Sequence, residues 1–424
     1  MVRLAILLVL LCLTVWEWRS GPRKYVYWLS LIGLFAFFAL RYGQGTDYLT
    51  YLSIYANIPG LQTLPNFAAY SYNKIEIGFF YLISFFRMLG VHYVLFVAIL
   101  TAGSLFLINR FIQRFSPLPV FALTIFYAVY SLIYMESAIR QILSIAIALG
   151  WVFIDWSNGK RWRAMLGIVI ATLLHTSAIV LVALPILFWG PRKLFLIEWS
   201  IKKSVLLLGL LAAGTVVINF VNLTPIIQLL PSQLEYTILS YYNENSNLSL
   251  LAFGNRTLFM AIIFFLAYRA NKQDALSAND KLLFNLYCVG YGIYMLFMSF
   301  DLIASRTNVY FRILDICLIP LLMQKNRDFV RRTVVALPAL LVLLSFLYVK
   351  DISTTMSYAQ YYDNNPLRYP YVTVFNPDAI FDSKFVNVKN ANAMNAYQTG
   401  GLSWDEYYAT LQRKPTVRSP ILPY

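Results

Sequence analysis

From Leu4 to Val349 the chain is a succession of apolar runs separated by short basic clusters, and that pattern leaves few folds open. The runs cover Leu4–Trp16, Tyr25–Leu40, Tyr93–Ile108, Leu118–Met135, Ala138–Ile154, Ala164–Phe188, Ser204–Val221, Thr257–Tyr268, Leu282–Phe300, Val309–Met323 and Thr333–Val349. At about 20 residues per crossing they make roughly eleven candidate membrane elements. Of all residues 59% are hydrophobic and only 12% charged, against about 25% charged in a soluble domain. The fold class expected is an all-α polytopic membrane protein of roughly 10–12 membrane helices, some re-entrant or broken. The first run resembles a signal peptide but lacks a small-residue cleavage site and is followed at once by a second run, so it reads as an anchor.

The 34 Lys+Arg against 19 Asp+Glu would suggest nucleic acid in a soluble protein. In a membrane protein they mark cytoplasmic loops, and no nucleic-acid partner is expected. The clusters Arg19/Arg23/Lys24, Arg110/Arg114, Lys160/Arg161/Arg163, Arg192/Lys193/Lys202/Lys203, Arg269/Lys272/Lys281 and Lys325/Arg327/Arg331/Arg332 set that side. The connections Tyr42–Ile75 and Asn222–Phe253 carry one basic residue, Lys74, and fall outside. The expected division is therefore a transmembrane domain over 1–349 and an external tail over 350–424, packed on the membrane part. Ile75–Leu89 is short for a span and carries Arg87, so it reads as re-entrant or interfacial. Ala164–Phe188 has basic clusters at both ends and His175 in its middle; it is either two half-helices or one long tilted helix. No internal repeat is visible, which weakens an inverted-repeat transporter. Cys12, Cys288 and Cys317 lie in apolar runs without paired spacing, so neither a disulfide framework nor a metal site is expected.

Five arginines stand against the charge rule. Arg41, Arg140, Arg256, Arg306 and Arg312 fall at or just below the external ends of their helices, where each carries an insertion cost. Nearby acids could neutralise them: Glu136 lies four residues before Arg140, Asp315 three after Arg312 and Asp301 five before Arg306, and the first two spacings suit one helix face. A shared anionic ligand explains all five together, because guanidinium forks match phosphate oxygens in pairs. The segment Arg41-Tyr42-Gly43-Gln44-Gly45-Thr46-Asp47-Tyr48 opens straight off a helix. Its glycines allow a tight turn, and Asp47 is either a general base or hydroxyl-orienting acid, or a cap of local amides. Glu76 is a second candidate acid or a helix N-terminal charge. His175 is the histidine deep in an apolar run, where ionisable groups are functional by default, although a structural bond to a carbonyl is the other reading. His92 reads as an interface anchor. No phosphate-cradling loop, zinc-protease, nucleophile-elbow or paired-cysteine motif is present.

The order Arg41-x3-Gly45-Thr46-Asp47-x3-Tyr51, Glu76-x-Gly78, Ile139-Arg140-Gln141, His175-Thr176-Ser177-Ala178 and Arg312 resembles the EpsG-like, Wzy-type bacterial polysaccharide polymerases over roughly residues 25 to 350. The chain departs from the family's pattern at Thr176, where an aromatic residue is common, and in a longer tail. The resemblance implies a GT-C-like or O-antigen polymerase/ligase-like architecture in the bacterial inner membrane, with the active site facing the periplasm. It implies transfer of a glycan from one undecaprenyl diphosphate to the non-reducing sugar of another lipid-linked repeat unit. It implies no cofactor, and allows a chain-length regulator as a partner. On that reading Arg140, Arg256 and Arg312 bind diphosphate, Arg41 and Arg306 bind diphosphate or a flanking sugar, and Asp47 or His175 serves the acceptor. Tyr241, Tyr242, Tyr361 and Tyr362 could stack on sugars, or belong to the interface belt. The rivals are an O-antigen ligase, a membrane-bound O-acyltransferase, for which the arginines have no purpose, and a lipid-linked-oligosaccharide flippase, which should carry basic residues down through the membrane.

Overall fold

The computed structural model describes residues 1–63, 75–188, 250–298, 300–359, 361–363 and 365–384, with isolated residues 214 and 228. Among them the chain is helical, with isolated bridges in place of strands. It is an all-α polytopic membrane protein: among the described residues Tyr93–Phe115, Ile139–Ser157 and Ala336–Tyr358 are long and apolar enough to cross a bilayer, and the bent pair over Pro119–Ser137 is either a broken span or a re-entrant loop. Apart from Gly214, the run Ser204–Val221 lies outside the described residues, as do Tyr241, Tyr242 and Lys74. The helices group into two compact units, one of residues 1–107, 118–143 and 335–424, the other of 108–117 and 144–334.

The first unit is built on a buried helix. Helices α1 (Val2–Ser20), α2 (Lys24–Ala39), α3 (Tyr48–Asn57), α4 (Ile77–Met88) and the start of α5 (Tyr93–Phe115) precede α6 (Pro119–Val129), of which every residue from Val120 to Val129 is buried. A helix apolar on all sides belongs at the centre, and α1 and the later helix Ala336–Tyr358 both pack on it. Pro119 occupies its first turn, where the missing N–H costs nothing. The Glu17 carboxylate from α1 accepts the orphan amides of Val120 at 3.1 Å and Phe121 at 2.9 Å, so a buried acid is spent on a helix start. Midway, the Thr14 and Thr124 hydroxyls meet at 2.7 Å. At the far end Tyr127 donates to the Arg3 carbonyl at 3.0 Å and accepts from Tyr348 at 2.7 Å. One helix thus carries polar contacts at both ends and the middle, which fixes its register against its neighbours.

Beyond α6 the chain bends by 76° into a single π-type stretch, Ser131–Ser137. It then restarts as α7 (Ile139–Ser157), the two helices separated by Ala138 at φ −93°, ψ 66°. The segment expected to be short is short: α4 has 12 residues, about 18 Å of rise against a hydrocarbon core of about 30 Å. The segment expected to be either broken or one long helix is broken. Helix α8 (Arg161–Leu174) ends at His175, in extended conformation at φ −155°, ψ 114°, and a 3-10 stretch Thr176–Val182 leads into α9 (Ala183–Phe188).

The second unit continues with α10 (Leu250–Lys272), α11 (Ala278–Leu296), α12 (Asp301–Arg312), α13 (Asp315–Lys325) and α14 (Arg327–Arg332). Helices α11 and α12 meet where Gly290 leaves no room for a side chain: a Cβ there would stand 2.5 Å from Phe311 Cβ. Small residues permit such close approach where packing must hold helices together. Helix α15 (Ala336–Tyr358) returns to the first unit and runs through position 349 without a break. Gly290→Ala should therefore lower the melting midpoint in detergent, by the equivalent of about 1–3 kcal/mol for overpacking. Gly103→Ala, where nothing stands within 4 Å of the added carbon, should leave it unchanged or raise it.

Candidate functional site

At one end of the first unit, α2 stops and the chain reverses through Arg41–Asp47. Gly43 and Gly45 take φ of +65° and +82°, which side-chain-bearing residues rarely adopt. Gly45 has a second reason to be glycine: a Cβ would stand 2.6 Å from the Glu136 carbonyl oxygen and 2.7 Å from Ser137 Oγ. The loop backbone therefore lies directly on the broken stretch that follows α6, and the Thr46 amide donates to Ser137 Oγ at 3.1 Å. Arg41, expected among the ligand-binding groups, is 1% exposed. Its guanidinium donates to the Phe38 carbonyl and to the Met135 carbonyl at 2.7 Å. In that position it joins the end of α2 to the π-type stretch.

The tail closes over the same loop. Tyr42 N–H donates to the Val372 carbonyl at 3.0 Å and Val374 N–H to the Leu40 carbonyl at 2.9 Å. Tyr371 stacks on Phe37, ring centroids 4.6 Å apart. Lys384 is buried and its Nζ donates to the Gly45 carbonyl at 3.2 Å. Tyr361 is buried against Tyr369 with a centroid distance of 5.1 Å, whereas Tyr362 is exposed.

Beneath the loop lies a buried ion pair that the sequence reading missed. Arg3, 1% exposed, donates to Glu136 Oε2 at 2.8 Å, to Gln44 Oε1 at 2.5 Å and to the Pro370 carbonyl at 2.7 Å. Its guanidinium also faces the Tyr369 ring at 4.0 Å. One side chain from α1 thus contacts the first loop, the broken helix and the tail. The available signal was Arg3 at the end of the first apolar run opposite the Arg19/Arg23/Lys24 cluster, where the charge rule disfavours a basic residue.

This pairing overturns the expected match of Glu136 with Arg140. The four-residue spacing puts two side chains on one face only if the helix is continuous, and it is interrupted at Ala138. Arg140, in the first turn of α7, instead pairs with Glu76 Oε2 at 2.5 Å and donates from Nε to the Tyr51 hydroxyl at 2.9 Å. Arg140 and Glu76 keep 18% and 13% of their side-chain surface. Asp47 occupies the N-cap position of α3, one turn before Tyr51, and interacts electrostatically with both Tyr51 and Lys384. Three sequence-predicted groups, Asp47, Glu76 and Arg140, are therefore brought together around one tyrosine, with the arginine plane fixed from two sides.

The other predicted residues belong to the second unit. His175 sits at the helix break, 7% exposed. Two residues on, Ser177 donates to the Tyr310 hydroxyl at 3.4 Å; Tyr310 donates to Ser144 Oγ at 3.0 Å, and Ser144 to the Ala171 carbonyl at 2.8 Å. That carbonyl also accepts the His175 amide at 2.9 Å, so a chain of hydroxyls anchors both sides of the break. Arg306 and Arg312 flank Tyr310 on α12. Arg256 projects from α10 over the Tyr294 ring at 4.0 Å. Asp315, offered as a partner for Arg312, opens α13 and is fully buried; the side chain of Asp301 lies outside the described residues.

Burial pushes the Lys384 ammonium down to about 8, against the opposing pull of Asp47. Between that value and the ordinary lysine range, the unfolded chain holds a proton that the folded chain has released, so stability rises with pH across the window. Below about 8 both states are protonated and the gain is absent. Melting midpoints measured from pH 7 to 10 should show this rise, and Lys384→Met should flatten it.

No curated protein and no solved structure matches the chain. The family model that does match, described as the EpsG family, covers residues 24–363, from the start of α2 to the beginning of the tail, short of the residues that dock on the first loop. The chain therefore belongs to the EpsG family.

Proposed function

We propose that the protein is a membrane glycosyltransferase that polymerises polyprenyl-diphosphate-linked repeat units on the periplasmic face of the bacterial cytoplasmic membrane. Membership of the EpsG family supports a polymerase of polysaccharide biosynthesis. The observation that carries the finer reading is Arg140, held by Glu76 and Tyr51 beside the Asp47 loop. In the reaction, the acceptor sugar's hydroxyl oxygen attacks the anomeric carbon of the donor. The bond from that carbon to the diphosphate oxygen breaks, and the lipid diphosphate leaves with the electron pair. Developing charge on the leaving oxygens needs fixed donors; a guanidinium whose plane is already set costs no reorganisation. The acceptor proton needs a nearby base, and Asp47 at the head of α3 suits that task.

Arg256, Arg306 and Arg312, candidates for anion binding in this reading, and His175, the alternative acceptor-side group, belong to the second unit. Arg41 takes a positioning role, because both of its described donations go to backbone carbonyls. The test supplies the purified full chain with a synthetic undecaprenyl-diphosphate-linked repeat unit in detergent, with and without chelator. A ladder of lengthening products is expected under both conditions. Arg140→Ala should reduce it by about 10²-fold or more, and Arg140→Lys should not restore it, since an ammonium lacks the fork. An undiminished ladder from Arg140→Ala would remove the arginine from the mechanism. Product formed only when lipid A–core is added would assign a ligase.

A further inference from the structure

The second unit contains a basic cavity lined by none of the residues assigned to the reaction above. It has a volume of about 430 Å³ and lies among the last turn of α10, the end of α13 and the short helix α14. Arg269, Lys325, Arg327 and Arg332 line it, against one carboxylate, Asp328. Gln273, Gln324 and Asn326 add amides, and Phe329 is the one aromatic wall. Arg269 and Arg256 project from the same helix thirteen residues apart, about 20 Å along the axis, so this cavity is separate from Arg256.

Helix C-termini account for part of the charge, because cations in a last turn complement the backbone dipole. They do not account for four cations sharing one concave wall, where like charges repel. Lys325 is partly offset by Asp280 at 3.7 Å. Arg269 is held flat over Phe329 at 4.1 Å, and its buried Nε has no hydrogen-bond partner among the described residues. Asn326 is 3% exposed and anchored through Nδ2 to the Leu266 and Leu322 carbonyls at 2.9 and 2.8 Å. Its buried Oδ1 likewise lacks a partner among the described residues. The cavity therefore offers several cationic donors, a set that suits an anion.

We infer that this cavity binds a phosphate-bearing anion, with its oxygens on Arg269, Arg327 and Arg332. Two sources share that chemistry: the glycerol-phosphate headgroup of an anionic phospholipid and a soluble phosphate. The surroundings favour the headgroup. Leu258, Phe264, Phe265 and Tyr268 leave an exposed apolar face on α10 that ends beside the cavity, where Lys272 stands over the Tyr268 ring at 4.7 Å. An aromatic and basic collar below an apolar face is the arrangement of a membrane interface, and basic pockets between helix ends hold anionic headgroups.

The experiment uses the purified full chain in neutral detergent and follows melting midpoint and native mass. Phosphatidylglycerol, phosphatidylcholine, inorganic phosphate and sodium chloride at matched ionic strength are added separately. A rise with phosphatidylglycerol, beyond that with phosphatidylcholine or chloride and accompanied by retained lipid mass, assigns the headgroup. A rise with inorganic phosphate alone assigns a soluble anion and keeps the cavity. Arg269→Gln and Arg332→Gln should each weaken the responsive anion by about tenfold; Arg332 is exposed, so its variant is expected to fold normally. Equal midpoints in all four additions, or an anion effect unchanged in both variants, overturns the proposal.

Discussion

The buried pair between Arg3 and Glu136 is the interaction on which the first unit's functional end depends. Two full charges away from water are stable only when paired and when the remaining donors find acceptors. Arg3 meets that demand with Glu136, the Gln44 amide oxygen and the Pro370 carbonyl. The consequence is geometric. Elements separated by up to 367 positions in sequence must come to one point, because the guanidinium cannot be satisfied by any of them alone. The first loop, the broken helix and the tail are co-located by a requirement of charge burial, and the Asp47, Tyr51, Glu76 and Arg140 group stands on that base.

Both broken helices repay the same kind of debt. In a membrane protein a helix interruption frees backbone groups that lipid cannot satisfy, so they need internal partners. Around Ala138 the freed Met135 carbonyl takes Arg41, and Ser137 takes the Thr46 amide. Around His175 the Ala171 carbonyl, which still accepts the His175 amide, also takes the Ser144 hydroxyl, which Tyr310 orders in turn. Interruptions of this kind let side chains near a helix end project where a continuous helix would bury them. Arg140 and His175 both occur within two residues of one.

Much of this was legible in the sequence because it depends on composition and local chemistry. The apolar runs predicted helices, the shortness of Ile77–Met88 followed from counting residues, and the charges flanking His175 signalled trouble in a single long helix. Asp47, Glu76 and Arg140 were each legible as charged groups at helix ends, but their meeting around Tyr51 was not. What was not legible depended on long-range pairing. Glu136 is four residues from Arg140, and local spacing assigned them to each other. The bend after α6 sends Glu136 to Arg3 and leaves Arg140 to Glu76, 64 residues away in sequence. The tail offered no periodicity to read, and its docking on Leu40 and Tyr42 rests on backbone bonds that side-chain identity does not encode.

In the function proposed, the end of the first unit bearing Arg140, the Asp47 loop and the docked tail faces the outside of the cytoplasmic membrane. Tyr362 is exposed in the tail segment that closes over this end. A Tyr362→Cys variant, made with Cys12, Cys288 and Cys317 replaced by serine, can be treated with a membrane-impermeant maleimide. Right-side-out vesicles should label fully and sealed inverted vesicles should not. The opposite pattern would place the site on the cytoplasmic side and contradict the account.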